Sequence, residues 1–290
     1  GAWTMAGWAG TERLRRARPV IVSYLLSSGS LALAALSQLV TFAILARALG
    51  PIEFGLFVQI SAVATIAVQL CGLGASDCLL RRVSRDPASY ADLLGHNLCL
   101  IGLTGAGLVI GGAVALSGWL RLNAGPSVDL ATLALLLFGN VVVLRLILLV
   151  ETAFLALGRF HQANRAVVGF ALMRTATAAL ACLAFGASTL SEWAFWQCAG
   201  NLLYALVGAA WLRPLGRPRL AILRAELKPG LLFSSQFVMR AVRANVDLLV
   251  IGLFAPLATV GSYGVARRIM DSSYLAIDAR DTSVMLIDCA

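Results

Sequence analysis

The chain has 290 residues, 60% of them hydrophobic and 13% charged, with a formal charge of +9 from 23 basic and 14 acidic side chains. Its mean hydropathy is +0.86, whereas soluble domains hold about 45–50% apolar and about 25% charged residues. These values exclude a soluble enzyme, a disordered chain, a collagen and a disulfide-rich secreted scaffold, and they leave an integral membrane protein.

At about 20 apolar residues per span, a chain of this length holds about eight transmembrane helices and belongs to the all-α, polytopic membrane class. A membrane barrel would show weakly alternating segments instead of long apolar runs. A basic segment, residues 1–20, carries Arg13, Arg15, Arg16 and Arg18. Six helices are then predicted at about 21–46, 54–73, 94–120, 130–155, 164–185 and 193–212, forming a first lobe over 21–212. A basic linker follows at 213–229, and two more helices at 230–254 and 258–277 within a last segment, 230–290. All eight prolines fall between these runs or at their first turn, where a missing N–H costs least. Trp119, Trp193, Trp196 and Trp211 fall at run ends, as expected of rings at the headgroup level.

Charge sets the orientation. Arg81, Arg82 and Arg85, then Arg159 and Arg165, then Arg213, Arg217, Arg219, Arg224 and Lys228 occupy every second connection. The alternate connections carry only Arg47 and Arg121. The positive-inside rule therefore puts the N-terminus and the basic connections in the cytoplasm, with the first run an uncleaved span. The six cysteines are scattered without a CxxC pair and read as small apolar side chains, with no metal site. His96 and His161 lie at cytoplasmic helix ends with no acid at a catalytic spacing. Gly105, Gly107 and Gly111 lie inside a helix and read as small residues for close helix packing.

A shift of 206 positions lays the seventh predicted helix on the first. Leu25 and Leu26 then meet Leu231 and Leu232, Ser28 meets Ser234, Val40 meets Val246, Gly55 meets Gly261, and Phe57 meets Tyr263. Pro51 and Pro256 each precede the second helix of their copy. Both copies start on the cytoplasmic side, so the repeat is parallel, related by an axis along the membrane normal. The chain then holds one six-helix lobe and the first hairpin of a second, as a truncated two-lobe protein would.

Residues 42–57 (FAILARALGPIEFGLF), with 247–252 (DLLVIG) and 260–267 (VGSYGVAR), resemble the hairpins that open the two lobes of the polysaccharide flippases. These form a family of the multidrug/oligosaccharidyl-lipid/polysaccharide exporter superfamily. The resemblance implies two six-helix lobes and a transporter rather than an enzyme. Its implied work is flipping polyprenyl-pyrophosphate-linked oligosaccharide across the bacterial inner membrane by alternating access, for polysaccharide biosynthesis. The implied partners are that lipid-linked anionic oligosaccharide, membrane lipids, and a proton or sodium ion; no cofactor and no nucleic acid is implied. A cation-coupled multidrug antiporter of the same fold is the alternative, and a membrane enzyme of glycan polymerisation or acylation a more distant one.

Arg145, Arg174, Arg240, Arg243, Arg267 and Arg268 fall inside predicted spans, with Glu151, Asp247 and Asp271. Each such charge costs about 2.5–3.5 kcal/mol at the bilayer centre, so each needs a polar cavity or a partner. Arg240, Arg243 and Asp247 fall within roughly 60° on one helix face. Arg243–Asp247 and Arg267–Asp271 are spaced for ion pairs along a helix, and Arg145 is placed to snorkel. Arginine outnumbers acid here, and guanidinium forks hold phosphate oxygens bidentately. Arg174, Arg240, Arg243, Arg267 and Arg268 are therefore the candidate headgroup-binding residues. Asp247, Asp271 and Glu151 are candidates for charge pairing or ion coupling. The first predicted helix offers only Gln38 and Thr41, without the carboxylates expected of a drug-cation exporter.

Overall fold

Helix runs from Trp3 to Leu70 with one break, at Gly50, whose φ of 72° and ψ of 173° only glycine adopts without strain. Pro51 follows at the first position of the new helix, where its fixed φ suits the start. The two arms, α1 (3–49) and α2 (51–70), fold back on each other. Phe42 meets Phe54 and Phe57 with ring centroids 5.8 and 6.1 Å apart. This computed structural model describes residues 3–122 and 128–271, and all regular structure among the described residues is helical. The end of the eighth predicted helix, beyond 271, lies outside the described residues.

The helix begins at Trp3, not at residue 21, so the basic segment is helical and Pro19 falls inside the run. Residues 12–18 (ERLRRAR) are nearly all strong helix formers, and nothing there stops the helix. α2 ends earlier than expected. Gly72, Leu73 and Gly74 all have positive φ, and a short helix, α3 (Ala75–Val83), follows them. α3 was not expected, because nine residues are too few for periodicity to register. It buries Ala75, Ser76, Cys78, Leu79 and Val83 and turns Arg81 and Arg82 outward.

α4 is Tyr90–Leu122. α5 (130–156) and α6 (160–184) each contain a π-helical stretch, Phe138–Val143 and Leu180–Ala184. The first π stretch places its polar groups against α7 (Leu190–Leu212). Asn201 donates to the Gly139 carbonyl at 3.0 Å, and Gln197 donates to Asn140 Oδ1 at 2.9 Å. Inside a bilayer such groups must find partners within the protein. α7 opens on a capping box, in which the Glu192 carboxylate accepts the N–H groups of Ser188 and Thr189. Those two backbone bonds hold the Glu192 carboxyl below its ordinary range. Among the described residues, four runs are long and apolar enough to cross a membrane: Ala32–Leu70, Pro87–Arg121, Leu130–Ala156 and Phe160–Ala184.

α8 (Arg224–Phe254) starts six residues before the expected 230 and carries Pro229 inside it. Tertiary anchoring explains the early start. Glu226 is buried, ion-pairs with Arg82 of α3, and accepts at its carbonyl from Cys78 at 3.8 Å. The linker before it is pinned to α4. The Arg219 N–H donates to the Ala91 carbonyl at 2.9 Å, and the Leu223 N–H to His96 Nδ1 at 3.1 Å. A Cβ on Gly95 would stand 1.8 Å from the Arg219 carbonyl oxygen, so only glycine admits this contact. A last helix, α9 (257–271), completes the described chain.

Two further expectations change. Trp193 packs inside the protein rather than on its surface; it is fully buried, edge-on to Phe57 at 6.3 Å, and binds α7 to α2. Of Gly105, Gly107 and Gly111, only Gly105 serves close packing, against Val142. A Cβ on Gly107 or Gly111 would meet nothing within 4 Å.

Candidate functional site

α2 and α9 lie side by side, and several of their contacts join residues 206 positions apart. A Cβ on Gly261 would lie 3.2 Å from the Gly55 nitrogen, and one on Gly264 2.7 Å from a Val58 methyl. Both pairs are 206 positions apart (261 − 55 and 264 − 58). One to three turns further on, Ser61, Ala62 and Thr65 share a cavity with Arg267, Arg268 and Asp271, again 206 apart in that order. Pairing in ascending order means that the two helices run in the same direction, the relation a parallel repeat requires.

Glycine decides where the helices touch. A Cβ on Gly55 would stand 1.8 Å from the Leu257 carbonyl oxygen, so backbone meets backbone at the Gly50 end. Beyond this contact the helices hold a cavity of about 200 Å³. Phe42 from α1 and Asn245 from α8 complete its polar and aromatic lining.

Asp247 of α8 pairs with α9 beside this cavity. Arg267 Nη1 lies 2.8 Å from Asp247 Oδ1, and Arg267 Nε lies 3.8 Å from Asp271 Oδ2. Arg267 also donates to the Ala244 carbonyl, and the Tyr263 hydroxyl donates to Asp247 at 2.7 Å. Asp247 thus pairs across to α9 instead of with Arg243 on its own helix, while the Arg267–Asp271 pair forms along the helix as its spacing suggests. The Arg268 guanidinium stands 4.9 Å from the Phe42 ring centroid, within cation–π range. Arg174, on α6, lies within electrostatic range of Arg268, and its buried Nε has no hydrogen-bond partner among the described residues. Its neighbour Thr175 bonds Ser37 and Thr41 of α1, which fixes α6 against α1 at this depth.

The remaining candidates lie elsewhere. Arg240 and Arg243 are exposed on α8, outside the lining of this cavity, and Arg240 stands 5.9 Å from the Phe237 ring centroid. Glu151 is half-buried on α5 and has no ion pair among the described residues. Arg145 does not snorkel. It is buried, with its Nε 3.7 Å from where a Cβ on Gly72 would sit, just past the end of α2. A guanidinium there meets the negative end of the α2 dipole. Phe42, Ser61, Thr65 and Asn245 were missed as lining residues. The 206-residue shift applied to Arg267, Arg268 and Asp271 would have pointed to 61, 62 and 65.

Among the described residues, Arg174, Arg267 and Arg268 therefore stand near Asp247 and Asp271 at this interface.

A family model described as polysaccharide biosynthesis protein matches residues 22–272. No curated protein matches the chain. Several solved structures share its fold. One is a MOP superfamily transporter from Pyrococcus furiosus, described as having a binding pocket of reverse polarity that suggests a different function. It aligns with a TM-score of 0.60 at 15% identity, over 88% of this chain and 64% of its own. A MATE protein in complex with MaD3S aligns with a TM-score of 0.61 at 16% identity, over 91% of this chain and 66% of its own. A multidrug resistance MATE transporter of the MOP superfamily, in its outward-facing conformation, aligns with a TM-score of 0.58 at 16% identity, over 91% and 67%. The chain thus spans about two thirds of the length of these structures.

Proposed function

Because the chain belongs to the polysaccharide biosynthesis protein family, we propose that the full protein carries a polyprenyl-pyrophosphate-linked oligosaccharide from the cytoplasmic to the outer leaflet of a bacterial inner membrane. The observation that carries this reading is the pair of adjacent arginines, Arg267 and Arg268, in the lining of the cavity between α2 and α9. A pyrophosphate offers several charged oxygens, and guanidinium forks bind such oxygens in pairs while staying charged at any depth. The exposed arginines 81, 82, 85, 159, 213, 217 and 219 gather at one end of the bundle, which the positive-inside rule makes cytoplasmic. The Gly55–Gly261 contact then lies toward the outer face and closes α2 against α9 there. Export requires α2 and α9 to part there, while the cavity closes to the cytoplasm.

Two measurements test this. Ser84 and Ser188 are both exposed. A cysteine at Ser188 should react with an impermeant reagent added outside, and one at Ser84 should not; the reverse result overturns the orientation. Vesicles holding the full-length protein should flip a fluorescent polyprenyl-pyrophosphate glycan and should not extrude quaternary ammonium dyes. Dye extrusion without glycan movement would replace this reading with cation-coupled drug antiport.

A further inference from the structure

Away from the α2–α9 interface, the first lobe holds a second and larger recess. It lies between α4, α5 and α7 at the basic end of the bundle and has a volume of about 830 Å³. That is within the range of about 300–1,000 Å³ that accommodates drug-sized ligands. Its walls are aliphatic: Leu94 and Leu98 from α4, Leu146 and Val150 from α5, Leu206 and Ala209 from α7. Its mouth is not. Arg213 and Arg217 stand there, both exposed, with Gly216 and Pro218 between and beside them.

The mouth is fixed in place. Pro214 and Pro218 stiffen the segment, and the 3₁₀ turn Arg213–Leu215 ends α7. Immediately beyond, the Arg219 N–H is bonded to the Ala91 carbonyl and its guanidinium lies 3.5 Å from Asp92. Arg219 therefore has its carboxylate, whereas Arg213 and Arg217 have none among the described residues. Two unpaired guanidiniums held over an aliphatic recess that opens at a membrane surface match one kind of molecule. It has an anionic phosphate and a hydrocarbon chain.

We propose that this recess binds an anionic phospholipid of the leaflet facing the basic end, its phosphate at Arg213 and Arg217 and an acyl chain between α4, α5 and α7. Charge complementarity selects the occupant, since the cytoplasmic leaflet is rich in anionic lipid and basic recesses between spans attract it. The proposal rests on the orientation given above only in naming the leaflet. All the walls belong to the first lobe, so the lipid occupies a place separate from the cavity at Arg268. It would brace the linker that leads into α8.

The test uses full-length protein stripped of lipid in detergent, then offered phosphatidylglycerol or phosphatidylcholine, with retained lipid read by native mass spectrometry. Phosphatidylglycerol should be retained in preference to phosphatidylcholine. The double variant Arg213→Gln/Arg217→Gln should lower its occupancy about tenfold or more. Ala209→Trp, which fills the recess and leaves both arginines in place, should also lower it. Equal retention by the double variant, or equal retention of both lipids by the wild type, would overturn the proposal. So would displacement of phosphatidylglycerol by an equimolar polyprenyl pyrophosphate, which would make the recess part of the cargo route. Retention is read without transport. A protein that holds phosphatidylglycerol but flips no glycan would remove the proposed function and leave this site standing.

Discussion

Gly55→Leu should leave the protein in the membrane and reduce glycan export by about tenfold to a hundredfold. The added Cβ alone would stand 1.8 Å from the Leu257 carbonyl oxygen, and that oxygen belongs to backbone at the start of α9. A flexible side chain could swing aside; a helix start cannot. α9 must therefore withdraw from α2, and the Gly261 backbone, packed on Gly55, must withdraw with it. Overpacking of this kind costs about 1–3 kcal/mol. Here the whole cost falls on the state in which α2 and α9 touch, and about 1.4 kcal/mol changes an equilibrium tenfold. The variant would rest with its outer end open. A cysteine at Ser61, in the cavity below the contact, should then become reactive to an impermeant reagent added outside. Gly111→Leu is the control, since a Cβ there meets nothing within 4 Å. If Gly55→Leu exports normally, the α2–α9 contact is not part of the transport cycle.

Arg174→Ala and Arg268→Ala should each lower glycan export by about tenfold to a hundredfold, the loss of one charge-assisted hydrogen bond of about 1.5–3 kcal/mol. Lysine at either position should rescue in part, because a point charge replaces a planar fork. Arg240→Ala is the comparison. Its side chain lies outside the cavity lining, so its effect should be smaller unless α8 turns inward during transport. The membrane potential offers an independent reading of the same charge logic. Each negative charge moved outward releases about 2.3 kcal/mol per 100 mV when the inside is negative. Collapsing the potential at fixed substrate supply should therefore slow export. If alanine at both Arg174 and Arg268 leaves export unchanged, the cavity is not the headgroup site, and the drug-antiport reading gains.

The helices and their order were legible in the sequence because hydropathy and proline act locally. An apolar run long enough to cross a bilayer must be a helix whatever it packs against. Gly55 and Gly261 could be aligned from the repeat alone, yet nothing local says that they touch. Helix spacing pairs residues three or four apart on one helix, so Arg243–Asp247 was the partner that sequence suggested. The structure pairs Asp247 with Arg267 across two helices, because only packing brings α8 against α9. The early start of α8 depends on the buried Glu226 and its pair with Arg82, and the burial of Trp193 on its contact with Phe57. Each is set by a neighbour distant in the chain. What the tertiary structure alone decided is which charges share a cavity, because a charge in a membrane is held by whatever surrounds it in space.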